Sequence, residues 1–480
     1  MSDNTETATL AKPELPAEPI VKQHSILVDG KKLSYTTTTG QMPIFNDKGD
    51  LRAKLFYVAY TRDGVKDSAT RPLTIVYNGG PGSSTIWLHM GGLAPRRVVM
   101  LDEGGMPKPP FKMVDNEYTW LTETDLVFVD PVDTGFSRAV SDDEAKAAKG
   151  VDGDIEFVAE FIRMYLVRNA RWTSPLYLSG ESYGTFRSAG LAGYLIDRGI
   201  ALNGIILISS ILNMQTARFT LGNDLPFQLF LPTYAATAWY HGKVDKKLKK
   251  KSIREFLDEV EGWVEGEYVQ ALSLGDRISD EHSAKIAEKL HAYTGLSLDY
   301  IQNSNLRINI HQFCKELKRD ERRHVGRLDS RFESWDKDGV DDVAEFDPSM
   351  NGIIPPFGSV LMPYIRTELG YESDVEYHII RGFRDWNNGD ASKGYADTSD
   401  ALRAAWAKNP YMKVYIASGY YDLATPYYAT EYTFSHMNLD KSVRGNIHIE
   451  EFETGHMVYV DFGSLVRLNE TCRVFIRENA

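Results

Sequence analysis

The sequence predicts an α/β fold: a central, mostly parallel sheet with a largely helical insertion capping it. Three observations carry this. Short apolar runs recur, each closing in Gly, Asp or Ser: "LTIVYNGG", "DLVFVDP", "PLYLSGES", "GIILISS", "KVYIASGYYD" and "IHIEEFETGH". Continuous runs of that length suit strands buried on both faces. Helical periodicity lies between several of them. From about Leu212 to Asn409 the text turns to charged amphipathic helices, which is where a cap would be inserted.

Taken in order, residues 1–24 read as a disordered arm. They are polar and rich in Pro and Ala, with neither the basic start nor the apolar core of a secretory leader. The core then occupies 25–211. It opens with "KLSYTTTTGQMPIF" and "AKLFYVAYTR", which alternate apolar and polar residues as an antiparallel hairpin does. In "DIEFVAEFIRMYLVRNARW", Phe157, Phe161 and Tyr165 fall on one helical stripe with Val158 and Ile162. "TFRSAGLAGYLIDRG" is a second helix, whose small residues permit close packing on a sheet. Residues 212–409 form the cap, with "FDPSMNGIIPPFGSVLMPY" as a Pro- and Gly-rich connection inside it. Residues 410–480 return to the core.

"SGESYG" holds the chemistry. Gly180-Glu181-Ser182-Tyr183-Gly184 fits G-x-S-x-G, the strained strand-to-helix turn that presents a nucleophilic serine in the α/β-hydrolase fold. A serine hydroxyl is a poor nucleophile at neutral pH. It needs a base, and the base needs an acid to fix its tautomer. In this fold the partners follow in the order Asp, then His, at strand ends. Asp422, closing "VYIASGYYD", and His456, closing "EFETGH", satisfy both conditions. The developing oxyanion needs donors. The glycines of "YNGGPGSS" let backbone amides approach a ligand, and we assign the N–H groups of Gly80 and Tyr183.

Five segments, in order, resemble the serine carboxypeptidase family, the group of carboxypeptidase Y and cathepsin A: "NGGPGSS", "VFVDPVDTGFS", "SGESYG", "SGYYDLATPYYAT" and "TGHMVYVD". "VGRLDSRF" resembles a segment of its bacterial branch. The resemblance implies a metal-independent exopeptidase that releases a C-terminal amino acid through an acyl-enzyme. It implies further that Asn78, Gly79 and a protonated Glu181 receive the substrate carboxylate, and that Met457 lines the leaving-group pocket. The sequence departs from the family pattern where a second glutamate often pairs with the one before the serine: Gly92 stands there, in "GGLAPRR". That departure questions whether Glu181 stays protonated, and leaves room for an esterase or acyltransferase using the same triad. Arg96 or Arg97 is an alternative carboxylate contact.

Composition bounds the rest. The 480 residues carry a net charge of −13, which argues against nucleic acid or an anionic membrane as the main partner. No run is long enough to span a bilayer. The expected partner is a peptide or small acyl substrate. Dimer formation, as among relatives, and the compartment are left open: cytoplasmic, or secreted with the leader removed. No cofactor and no metal is called for, because C-x-x-C and H-E-x-x-H are absent. "WDKDGVDD" lacks calcium-ligand spacing and reads as a solvated acidic turn. Two cysteines, Cys314 and Cys472, make no disulfide framework, and whether they pair is open.

Overall fold

The computed structural model describes residues 16–383, 385–389 and 394–480. Its centre is a ten-stranded sheet. The main strands are β1 (Ile20–Val28), β2 (Lys31–Phe45), β3 (Leu51–Arg62), β4 (Leu73–Tyr77), β5 (Asp125–Val129), β6 (Leu176–Ser182), β7 (Gly204–Ser210), β8 (Lys413–Gly419) and β9 (Ile447–Phe452). They lie in the order β1-β2-β3-β5-β4-β6-β7-β8-β9, and the two-residue strand Arg138–Ala139 also pairs with β3. The expected hairpin is β2–β3, in antiparallel register from Tyr35↔Arg62 to Phe45↔Leu51. From β5 to β9 every neighbouring pair is parallel.

Side-chain alternation along these strands feeds two cores. Ile75, Leu178, Ile205 and Leu207 join one, and Val76, Tyr177, Ile206 and Ile208 the other. Both faces therefore need cover, which is why the strands are apolar throughout. Helices α1 (Val151–Arg168) and α2 (Tyr183–Ile196) cover the first face. The predicted α1 stripe is the buried one.

Three expectations need correction. The arm was expected to run to residue 24. Residues 1–15 lie outside the described residues, but Ile20–His24 are already paired with β2, because alternating Ile26 and Val28 draw this segment onto the sheet. Next, the stretch 212–409 is not one cap. Helices α3 (Leu231–Tyr240), α4 (Ile253–Trp263), α5 (Asp280–Thr294) and α6 (Ile310–Glu316) share a separate core running from Phe230 to Val325. Beyond it, α7 (Pro348–Pro363) packs on the second sheet face and α8 (Ser399–Lys408) on the first. The sheet is completed by α9 (Tyr427–Ser435) and α10 (Phe462–Glu478). The Pro- and Gly-rich "connection" is α7 itself. Asp347 caps it, Pro348 opens it, and burial of Ile353, Phe357, Val360 and Leu361 outweighs the cost of Pro355 and Pro356. Last, the acidic turn is not fully solvated: Asp336 is buried and ion-paired with the buried Lys315.

Cys314 lies in the cap core and Cys472 in the second sheet core, and both are free and buried. Among the described residues no helix is long and apolar enough to cross a membrane. Because α7 belongs to the sheet core, Phe357→Ala is expected to destabilise the whole fold by about 3–5 kcal/mol, read as a lower denaturation midpoint with an unchanged slope.

Candidate active site

β6 ends at Ser182 and α2 begins at Tyr183, with no loop between them. Ser182 absorbs the reversal, with φ 58° and ψ −128°. This is costly for a residue with a Cβ, and is held only where neighbours overdetermine it. Two glycines allow the close approach. A Cβ on Gly180 would stand 2.3 Å from the carbonyl oxygen of Gly184, and one on Gly79 only 2.4 Å from the Tyr183 nitrogen. The loop after β4 thus sits directly against the start of α2. Arg187, buried on α2, fixes that loop from below. It donates to the Asn78 carbonyl at 2.7 Å and forms a two-pronged pair with the buried Asp154 at 2.6 and 3.0 Å.

The loops after β8 and β9 carry the other two expected residues, and the structure joins them. Nδ1 of His456 lies 2.7 Å from Oδ2 of Asp422. Asp422 also accepts the amides of Ala424 (2.7 Å) and Thr425 (3.0 Å) and the Thr425 hydroxyl (2.7 Å). With 0% exposure, this carboxylate has its acceptors filled. Burial alone would push the His456 pKa down. The charge and hydrogen bond of Asp422 outweigh that, and with Glu181 they raise it above the ordinary imidazole value. A proton held at Nδ1 by Asp422 leaves Nε2 free to accept. A cavity of about 420 Å³ is walled by Ser182, Gly80, Tyr183 and Thr425, among others. Thr425 links this wall to the Asp422–His456 pair, its hydroxyl lying 3.2 Å from His456 Nδ1.

Glu181 is not among the walls of that cavity and sits in a buried cluster. Its Oε1 accepts from Asn78 Nδ2 at 3.1 Å, and its Oε2 accepts the hydroxyl of Tyr459. Burial pushes its pKa up to about 7; Asp422 adds to this, while His456, Tyr459 and Asn78 oppose it. Sequence reasoning missed Tyr459, although it stands in the quoted "TGHMVYVD". Its ring also explains Gly91, where a Cβ would lie 2.2 Å from it. Gly92 itself, at φ 155°, faces Leu465. Neither arginine of "APRR" reaches this cluster. Arg96 pairs with Glu368 and Asp115, and Arg97 lies over Phe462. Met457 is buried in the same core as Tyr459.

A second omission is the role of "VGRLDSRF", which clasps both loops. Backbone carbonyls of Arg327 and Leu328 accept the amides of Leu423 (3.0 Å) and His456 (2.7 Å). Ser330 N donates to the Tyr421 carbonyl at 3.0 Å. Asp329 accepts Gly455 N at 3.1 Å, and Arg331 donates to the Glu453 carbonyl at 3.1 Å and the Thr454 hydroxyl at 2.8 Å.

Residues 31–458 match the family model described as serine carboxypeptidase. The chain belongs to the serine carboxypeptidase family. It is 29% identical over 192 residues to serine carboxypeptidase-like 37 of Arabidopsis thaliana, covering 37% of this chain and 38% of that protein. It is 33% identical over 144 residues to the pheromone-processing carboxypeptidase KEX1 of Saccharomyces cerevisiae, covering 28% of this chain and 18% of that protein. These aligned stretches span well under half of each relative. The solved structure of the prohormone-processing KEX1 carboxypeptidase superposes with a TM-score of 0.57 at 16% identity, covering 93% of this chain and 91% of that one. At that identity the match speaks to the fold, and it is the expected α/β-hydrolase fold.

Removing the Asp154 carboxylate leaves a buried guanidinium unpaired under the Asn78 loop. Asp154→Ala is expected to cost about 3–5 kcal/mol in urea unfolding.

Proposed function

We propose that this protein is a serine-type carboxypeptidase. Ser182 attacks the last peptide carbonyl, and His456 takes its proton through Nε2 and returns it to the leaving amino acid. Asp422 orients the imidazole and stabilises its charged form. The amides of Gly80 and Tyr183 receive the oxyanion, helped by the N-terminus of α2. Water, activated by the same histidine, then cleaves the acyl-enzyme.

One observation favours a carboxypeptidase over a general esterase or acyltransferase. The buried carboxyl one residue before Ser182 sits between Asn78 and Tyr459 with a pKa near 7. A carboxyl that keeps its proton close to neutrality can donate to a substrate carboxylate, and Asn78 supplies a second donor. Gly79 places its backbone beside this pair, and Met457 lines the leaving-group side. With Gly92 in place of a second glutamate, burial supports a raised Glu181 pKa, and Tyr459 is the group that donates to it.

A blocked dipeptide should be hydrolysed with kcat/KM at least about 100-fold above its C-terminal amide, because the amide leaves buried donors unpaired. Ser182→Ala should lower kcat by at least about 10⁴-fold. Equal turnover of acid and amide would reject exopeptidase specificity.

The pH profile follows from two opposed groups. Activity is lost as pH falls through the raised His456 pKa, because the protonated ring cannot act as base. It is lost again as pH rises through about 7, where Glu181 ionises and repels the substrate carboxylate. Glu181→Gln keeps a neutral donor and should remove the alkaline fall near pH 7. Tyr459→Phe deletes a donor that favours ionised Glu181, so it should move that fall to higher pH. Both are read from kcat/KM against pH for one blocked dipeptide.

A further inference from the structure

The cavity at Ser182 is not electrically neutral. Arg218 and Arg327 are among its walls, together with Asn309 and His311, and no Asp or Glu is. This is notable in a chain of net charge −13. Arg327 is half-buried, and its guanidinium has no hydrogen bond, ion pair or ring partner among the described residues. The nearby Asp347 stands behind the backbone, accepting from Leu328 N and Ser349. The clasp of Arg327 and Leu328 onto the catalytic loops fixes where this cation stands. Arg218 is exposed at the same cavity, and its side chain likewise makes no hydrogen bond, ion pair or ring contact among the described residues.

Asn78, Glu181, Met457 and Tyr459 do not line this cavity. With the terminal carboxylate and leaving residue assigned to those four in the proposed reading, the cavity falls to the acyl portion of the substrate. The geometry points to an acyl-side subsite for a carboxylate: an acidic side chain, Asp or Glu, on the residue whose carbonyl Ser182 attacks or the one before it, held by Arg327 and steered by Arg218. This rests on the carboxypeptidase reading given above.

The test compares N-blocked dipeptides with one C-terminal residue and Glu, Gln or Leu on the acyl side. The expected result is a kcat/KM for Glu about tenfold above its neutral isostere Gln, the size of one charge-assisted hydrogen bond, diminishing as salt is added. Arg327→Gln should collapse the Glu/Gln ratio towards unity, and Arg327→Lys should restore part of it. Should Arg327→Gln not fold, Arg218→Gln must still lower the ratio and its salt dependence. A wild-type ratio of one or below overturns the subsite. So does an Arg327→Gln variant that weakens all free-acid substrates alike, because the arginine would then hold the terminal carboxylate. If no peptide is turned over, the carboxypeptidase reading fails separately. Calorimetric binding of N-acetylglutamate α-amide against N-acetylglutamine α-amide then decides the charge preference, and equal binding overturns it.

Discussion

A buried imidazole takes up a proton only if a fixed negative charge lies beside it. Here that charge is Asp422, wholly out of solvent and 2.7 Å from His456. Burying both groups is unfavourable unless every remaining acceptor is filled. The structure fills them with two amides and a hydroxyl from Ala424 and Thr425. The two residues sit on loops after different strands, so their meeting depends on β8 and β9 holding parallel register from Val414↔Ile447 to Gly419↔Phe452. A slip of one residue would turn one of the loops away from the other.

Sheet register alone does not hold two loops to hydrogen-bonding tolerance. The additional constraint comes from the segment between the cap core and α7. Arg327–Arg331 bonds to the backbone of Tyr421, Leu423, Glu453, Gly455 and His456 residue by residue. A Cβ on Gly455 would stand 2.4 Å from the Asp329 Cβ, so the two chains touch there. The cap is thus tied to the acid and base directly, and Leu423 joins its hydrophobic core. A cap that moved as a rigid body would carry the Asp422 loop with it.

The parts of this design that were legible in the sequence are those where local chemistry dictates residue type. The strained turn at Ser182 demands glycines at fixed offsets, and the acid and base must end strands, so both leave patterns within a few residues. What was not legible depends on contacts between distant segments. Tyr459 reaches Glu181 across 278 positions, and nothing local marks its hydroxyl as different from any buried tyrosine's. Three bonds of the clasp join backbone atoms, which carry no sequence signature, and the side chains of Asp329 and Arg331 find partners more than a hundred residues away. Helix α7 was misread because Pro355 and Pro356 are penalised in a lone helix, while the sheet face that buries Phe357 and Leu361 outweighs them. The solvated reading of "WDKDGVDD" failed for the same reason, since the partner of Asp336 is Lys315, in α6.

The proposed reading uses two ways of receiving a carboxylate, and their difference follows from solvent. The cluster at Glu181 is dry: Asn78, Glu181 and Tyr459 are exposed by 1%, 3% and 2%. An arginine there would bear a large desolvation cost whenever the site is empty, whereas neutral donors bear little. A shared proton and an amide therefore suit a fully enclosed terminal carboxylate, and they bring the neutral-pH sensitivity of Glu181 with them. The cavity at Ser182 is walled by the exposed Arg218 and the half-buried Arg327, where a guanidinium is more cheaply solvated than in a dry cluster. The charge of Arg327 also opposes protonation of His456, so the residue proposed to attract an acidic acyl group disfavours the imidazolium. On the proposed mechanism, a carboxylate bound there would neutralise that effect and return stability to the charged ring as His456 takes the serine proton.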